Sequence, residues 1–587
     1  MIDGKEGSSK DLTMPDRRMA ALKSIPLITI QACPKRSGPE GRMETLITRT
    51  PSAYDYPLLI KNLLFSPFAY NPDEEIVYRD TVRITYREMR ERVMRLAAAL
   101  IKLGVKPGDT VAVMDWDTHR YLECYFAIPM IGAVLHMVNI RLTPEQMIYT
   151  ITHAEDKIIL VNPDFLPILD QIKGRIDTVE YYVLLANKGE KAQTSLKICG
   201  TYEELLADSQ PLTEFPDFDE NTRATTFFST GTTGMPKGVY FSHRQIVLHT
   251  LSVLGALASP ASRYRIHTED VYMPITPMYH VHAWGIPFIA TMLGIKQVYP
   301  GKYIPEILLK LIVTEKVTYS HCVPTIVNML LNDPTSKNCD LSRWKVIIGG
   351  AALPQAIALE AMKRGISIYC GYGMSETCPV MSVQHLSEEE HALPPEEHAR
   401  LLVRTGRPIG LVDLKIIGPH GEVSPDDKST GEIVARAPWF TQGYLKDSLN
   451  SEKLWEGGWM HTQDVACIDT KGSLRITDRT KDVIKVGGEW ISSLEIEDIL
   501  CLNPAVAEAA VIGQPHTNWG EVPFAIVVKK PGEELKEKAL MDYIKKYIDM
   551  GLLPREAILV KIKFVEAIEK TSVGKINKIE LRKKFLP

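Results

Sequence analysis

The 587-residue chain has no Cys-x-x-Cys pair, and its nine cysteines (Cys33, Cys124, Cys199, Cys322, Cys339, Cys370, Cys378, Cys467 and Cys501) are scattered and odd in number. That pattern argues against a disulfide framework and predicts a reducing compartment. Net charge is also scarce: 68 Lys and Arg against 72 Asp and Glu leave −4. No overall electrostatic case exists for nucleic acid or an anionic membrane as partner, whereas small acidic or neutral ligands stay open. The longest uncharged stretch, Tyr125 to Ile140, is interrupted by Pro129 and falls short of the ~20 residues a spanning helix needs. It reads as a buried core helix, with no transmembrane segment. A signal peptide is missing too: residues 1–42 are polar, carry both charge signs and four prolines, and hold only a short apolar run from Ile25 to Ala32. They read as a disordered extension or as a start called too early, with Met43 the true start. The expectation is a cytoplasmic protein. No repeat or low-complexity tract occurs, and a homodimer is left open.

What is present is ordinary globular composition, 45% apolar and 24% charged, at a length that holds several domains. From about Ile76, strand-like runs (DTVAVMDW, KIILV, ATTFF) alternate with helical spacing (TYREMRERVMRLAAALIKLG), which predicts an α/β architecture. Ser242 with Gln245 three residues on has capping-box spacing ahead of HRQIVLHTLSVLGAL. The acidic, His-containing run between Leu386 and Arg400 reads as a solvated helix face. Past Arg479 the texture changes: strand-like DVIKV, a turn at Gly487 and Gly488, Ser492 and Glu495 capping a helix, strands EAAVI and FAIVV, a helix from Glu534 to Ile548 and a last strand KIKFV. A domain boundary is placed at Asp478–Asp482, dividing residues 43–478 from 479–587.

The segment Ser229 to Gly238, STGTTGMPKG, packs four hydroxyls, three glycines and a lysine into ten residues. Main-chain N–H groups can turn inward there, while hydroxyls and an ammonium surround polyphosphate oxygens. It is not a Walker A loop, because Pro236 replaces the glycine before the lysine and Gly238 stands where Ser or Thr should follow.

That segment closely resembles the signature loop of the adenylate-forming superfamily: acyl- and aryl-CoA synthetases, peptide-synthetase adenylation domains and luciferases. Matching motifs follow in order over roughly residues 45–587. Gly349-Gly350-Ala351-Ala352 resembles the adenine-side turn and Tyr372-Gly373-Met374-Ser375-Glu376-Thr377 a second core motif. Asp464 in HTQDVACID, Arg479 in ITDRTKDVIKVGGEW and Lys575 in EKTSVGKINK complete the set. The phrases PMYHVHAWGIP and GGEWISS are similar to those of medium- and long-chain fatty acyl-CoA synthetases and their short-chain relatives. Two departures stand out: Ser229-Thr230 where the family has Thr-Ser, and Gln463 where it has Gly before the aspartate.

The resemblance implies a large multi-subdomain α/β N-terminal region and a small mobile α+β C-terminal domain. It implies an ATP-dependent carboxylate:CoA ligase with Mg²⁺, acting on a medium-chain fatty acid. A short-chain or methylthiopropionate-type acid, or loading of a carrier protein, are the alternatives; no carrier domain precedes Pro587.

It also implies roles. Ser229, Thr230, Gly231, Thr232, Thr233, Gly234 and Lys237 hold phosphates; Gly350, Ala351, Ala352, Tyr372 and Gly373 border adenine. Asp464 serves the ribose, Arg479 the ribose or phosphate, and Glu376 with Thr232 the metal. Thr377 donates to phosphate, and Lys575 inserts its ammonium beside the reacting carboxylate and α-phosphate. Lys485, Gly487 and Gly488 line the CoA channel; His280, Trp284 and Gly285 belong to the acyl pocket; Lys481 is the hinge. His280 and His282 make no persuasive metal site, since a third ligand is missing.

Overall fold

A computed structural model describes residues 47–229, 235–260, 264–418, 420–487, 489–571 and 575–586. The predicted positions 1–42, Thr230, Gly231, Thr232, Thr233, Gly234 and Gly488 lie outside the described residues.

Two large sheets form the N-terminal part. One has seven strands, in the order Ile198–Thr201, Tyr181–Leu184, Asp156–Val161, Thr110–Met114, Val134–Met137, Arg223–Ser229, Lys237–Ser242. It is parallel except for the final antiparallel hairpin, whose two strands flank the glycine-rich loop. The other has nine strands, and its parallel centre runs through Val271–Pro274, Tyr319–Cys322, Lys345–Ile348 and Ser367–Gly373. Parallel strands buried on both faces need continuous apolar runs. Strands Thr110–Met114 and Lys345–Ile348 are accordingly buried at every position.

Helices His119–Met130 and His243–Ala258 contribute to one large core cluster with residues of both sheets. Helix starts follow the sequence. Capping boxes form at Thr85/Glu88, Thr143/Gln146, Thr201/Glu204 and Ser242/Gln245, each side-chain cap contributing about 1 kcal/mol.

One sequence reading is corrected. The Tyr125–Ile140 stretch is not one helix: the helix ends at Met130, Gly132 turns with φ 77°, and Val134–Met137 is a buried strand. Apolar character without period cannot separate these two states. The Leu386–Arg400 run is largely solvated, as expected, with Glu388, Glu389, Glu396, Glu397 and Arg400 exposed. It forms helices Glu388–His391 and Pro395–Leu402, and the second turns His398, Ala399 and Leu402 inward. His391 stacks on Tyr264 and shares a 3.0 Å hydrogen bond with His398. Among the described residues no helix is long and apolar enough to cross a membrane.

An antiparallel five-stranded sheet follows, carrying Met460–Ile468 beside Leu474–Arg479. The small C-terminal part holds a second five-stranded sheet built on the hairpin Val506–His516 and Gly520–Lys529, with Lys561–Val565 parallel to the latter. Helices Ser493–Cys501 and Glu537–Asp549 bury Ile496, Leu500, Leu540 and Ile544 against it.

Candidate active site

The site lies beyond the carboxyl ends of adjacent parallel strands, the usual crevice of such sheets. Lys345–Ile348 runs into Gly349 and Gly350, and Ser367–Gly373 runs into the turn Ser375–Thr377. Gly350 has φ 75°, a conformation a side chain disfavours. A Cβ there would stand 3.2 Å from Cε of Lys575. A residue of the C-terminal part thus reaches the turn formed by the N-terminal sheet. Ala351 and Ala352 are exposed on the same turn.

The charges of three groups singled out by sequence act on that lysine. Burial pushes the Lys575 ammonium down to about 8; the positive charge of Arg479 adds to this, while Asp464 and Glu376 oppose it. Its backbone is tied locally, N–H donating to Thr571 Oγ1 at 3.2 Å and carbonyl accepting from Thr571 N at 2.6 Å. His280 lies close enough to feel its charge, and burial first, then Lys575, pushes that imidazole down to about 3.

Asp464 sits in the strand Met460–Ile468 and is 5% exposed. Its Oδ2 accepts from the Tyr372 hydroxyl at 2.6 Å, and its Oδ1 pairs with Nε of Arg479 at 3.0 Å. Gln463 before it adopts φ 60° and receives no help from being glycine; its N–H donates to Glu432 Oε1 at 2.9 Å, which holds the bend. The family's glycine at this point matches the backbone shape that Gln463 keeps under mild strain.

Glu376 is buried in the turn after Gly373, and burial raises its carboxyl above the ordinary range. Tyr444 donates its hydroxyl to Oε1 at 2.8 Å, and the ammonium of Lys237 stands 4.5 Å from the Tyr444 ring centroid. Sequence reasoning missed Tyr444. Nothing in GYLKD marks it, because its importance comes from a fold that brings residue 444 to residue 376. A buried carboxylate offers the hard oxygen a divalent cation takes, so the chemistry of Glu376 suits Mg²⁺; Thr232, its expected companion, is outside the described residues.

Thr377 departs from expectation. Its hydroxyl is fully buried, donates to the carbonyls of Met374 and Pro379 and accepts from Met374 N at 3.0 Å. It fixes the turn that presents Glu376. Ser229 ends its strand opposite Lys237, its hydroxyl 3.4 Å from the Lys237 carbonyl.

Trp284 and Gly285 belong to an unusual turn. Val281, His282, Ala283, Trp284 and Gly285 have φ of 50, 56, 46, 59 and 75°, one turn of left-handed helix. At about 1–2 kcal/mol per L-residue this is costly. The Trp284 ring packs on Gly349, its Cη2 3.1 Å from where a Cβ would lie.

In the C-terminal part, Lys481 is exposed and its carbonyl lies 3.5 Å from Arg582 Nη2, while the neighbouring Asp482 pairs with Arg582 at 2.7 Å. Lys485 is exposed on the strand Ile484–Val486, and Gly487, at φ 61°, stands against the Trp519 ring. Among the described residues no group of three or more His, Cys, Asp or Glu side chains is arranged to hold a metal.

A buried acid, a carboxylate–arginine pair and an inserted lysine act on one another at this site, and comparison with known proteins agrees. Residues 66–445 match the AMP-binding enzyme family and residues 495–575 its C-terminal domain. The chain belongs to the AMP-binding enzyme family. It is 37% identical over 542 residues to a 3-methylmercaptopropionyl-CoA ligase of Ruegeria lacuscaerulensis, covering 90% of this chain and 97% of the relative. It is 37% identical over 511 residues to a long-chain-fatty-acid–CoA ligase of Thermus thermophilus, covering 86% and 90%. A medium-chain-fatty-acid–CoA ligase of Ectopseudomonas oleovorans is 36% identical over 538 residues, covering 90% and 96%. Among solved structures, an anthranilate CoA ligase in complex with anthranoyl-AMP superposes with TM-score 0.79 over 90% of this chain and 98% of its own, at 21% identity. That likeness concerns the fold of this AMP-binding enzyme, with its large N-terminal and small C-terminal domains.

Proposed function

We propose that this AMP-binding enzyme is an ATP-dependent carboxylate:CoA ligase that forms an acyl-adenylate and pyrophosphate, then an acyl-CoA thioester and AMP. The observation that carries the reading is Lys575 beside Gly350, within the electrostatic reach of Glu376, Asp464 and Arg479. A carboxylate attacking the α-phosphate of ATP meets anionic repulsion, and an ammonium held in line offsets it. Lys237 and the loop 229–238 hold the phosphates, and Asp464 accepts from the ribose diol. Arg479 orients that carboxylate and Tyr372 borders the adenine. Glu376 would hold Mg²⁺, whose chemistry is to screen charge on the phosphate oxygens.

The second half-reaction brings a thiol to the same carbonyl. One arrangement cannot place both Lys575 and pantetheine there, so the C-terminal domain turns about Lys481 within Asp478–Asp482 and offers Lys485, Gly487 and Gly488 to CoA. The substrate is an aliphatic acid of medium length, in keeping with the fatty-acid ligases among the relatives and an acyl pocket at His280, Trp284 and Gly285. A second reading is favoured by the relatives named for 3-methylmercaptopropionate: a short sulfur-containing acid. The free cysteines suit a cytoplasmic setting.

Pyrophosphate release across straight-chain acids from acetate to palmitate, and methylmercaptopropionate, with and without CoA, tests this. A maximum at medium length with CoA-dependent thioester is expected. No release with any acid removes the ligase reading, and an adenylate formed without CoA-thioester favours carrier loading.

A further inference from the structure

The left-handed turn Val281–Gly285 includes four non-glycine residues, and Val281 is β-branched, the class for which positive φ is a true outlier. Such a segment persists only where its surroundings over-determine it. Those surroundings are identifiable. Upstream, Met278 is clamped at both ends: its N–H donates to Asp117 Oδ1 at 2.8 Å, and its carbonyl accepts from the Tyr125 hydroxyl. Downstream, a Cβ on Gly285 would lie 2.8 Å from Cε1 of His249, so the turn closes tightly on that ring. His249 is itself fixed, Nε2 accepting from Val380 N at 3.3 Å.

At the centre, His282 is 1% exposed and ringed by Tyr125, Phe227, Phe241 and Phe288 at centroid distances of 6.4, 5.4, 5.7 and 6.0 Å. Among the described residues its close polar partner in that apolar box is Thr225, with Oγ1 at 2.8 Å from Nε2; the Cys378 thiol stands at 4.0 Å from Nδ1. Thr225 lies on the strand Arg223–Ser229, the same strand that ends in the phosphate loop. Two residues after His282, the Trp284 ring covers Gly349 and lies 5.1 Å from the His321 ring. A right-handed turn would relieve the backbone but aim this indole elsewhere.

We propose that the His282–Thr225 hydrogen bond locks the left-handed turn and so positions Trp284 over Gly349 as the wall that sets acyl-pocket depth. His282 is a positioning residue: it acts through Trp284 and neither binds metal nor carries a proton. The proposal rests on the ligase reading above and deepens it by naming what sets chain-length preference.

The test uses the full chain and measures KM for straight-chain acids of increasing length, and KM for ATP, in T225V, H282L, H282Q and W284A. T225V is nearly isosteric and removes the hydroxyl, so it carries the test even if H282L fails to fold. Expected is a shift of about tenfold in the KM ratio of short to long acids, in favour of longer ones, for T225V and H282L. ATP KM stays within about twofold, and T225V with H282L is no worse than either alone. H282Q, whose amide reaches the Nε2 position, restores the wild-type ratio, and in the W284A background T225V adds nothing. An unchanged chain-length profile in T225V, or an effect that persists undiminished without Trp284, overturns the lock. Failure of the lock and failure of the ligase reading stay distinguishable, because only the absence of wild-type turnover with every acid counts against the latter.

Discussion

Tyr444 donates its hydroxyl to Oε1 of Glu376 at 2.8 Å while its ring faces the Lys237 ammonium at 4.5 Å. One side chain therefore holds both the buried acid and the lysine of the phosphate loop, across 68 residues of sequence on one side and 207 on the other. Tyr444→Phe keeps the ring and removes the donor. A hydrogen bond to a charged acceptor is worth about 1.5–3 kcal/mol, so ATP KM or kcat/KM for ATP should worsen by roughly ten- to a hundredfold. The acid KM, measured at saturating ATP, should move little; equal loss for both substrates would mean that the tyrosine supports the fold at large.

Lys575 gives a pH prediction. Its folded pKa, near 8, lies below the ordinary lysine value of 10.5 because burial disfavours the charged form. The ammonium is the form that helps adenylation, and it is lost as pH rises through about 8. The kcat/KM profile for ATP reports the free enzyme and should fall on its basic side near there. Lys575→Arg keeps the charge at any accessible pH, so its lower activity should lose that basic limb. A limb that survives in the arginine variant belongs to another group.

The candidate site residues could be named from sequence because they sit in loops with recognisable local motifs. The glycine–hydroxyl loop announces itself by composition, whereas Glu376 in YGMSET and Lys575 in TSVGK are singled out by resemblance to the family's motifs. The strands Thr110–Met114 and Arg223–Ser229 and the capping box at Ser242 were legible for the same local reason. What stayed hidden depends on contacts distant in sequence. Tyr444 touches Glu376, Thr225 touches His282, and the Thr377 hydroxyl turns to backbone carbonyls of its own turn. The Tyr125–Ile140 stretch was misread because uniform burial erases the periodicity that distinguishes helix from strand. The left-handed turn is unreadable in principle from VHAW, whose residues all favour right-handed or extended backbone.

Gln463 is a departure from family pattern that the structure makes testable. It holds φ 60° next to the buried Asp464. Gln463→Gly relieves roughly 1 kcal/mol of backbone strain but adds about 0.5–1 kcal/mol of unfolded-state entropy. The two nearly cancel, so the thermal midpoint should stay level or rise slightly. Asp464 keeps its bonds to Tyr372 and Arg479, so ATP KM should hold within about twofold. A large rise in ATP KM would show that the Gln463 side chain, and not only its backbone, serves the ribose pocket.

The approach of Lys575 to Gly350 separates the two half-reactions. Lys575→Ala removes the ammonium; Gly350→Ala leaves it but puts a methyl 3.2 Å from its Cε, on a backbone at φ 75°. Both should depress pyrophosphate release, the first by about a hundredfold or more, as for loss of a transition-state charge contact. If the C-terminal domain swings away before the thiol arrives, neither group is needed for the second step. A supplied acyl-adenylate should then react with CoA at near wild-type rate in both variants. The Gly350→Ala enzyme is the sharper case, because its added methyl crowds Lys575 most closely, with Val323 Cγ1 next at 3.4 Å. Loss of both half-reactions in that variant would place residue 350 against the thiol as well, and domain rotation would no longer be required to explain the separation.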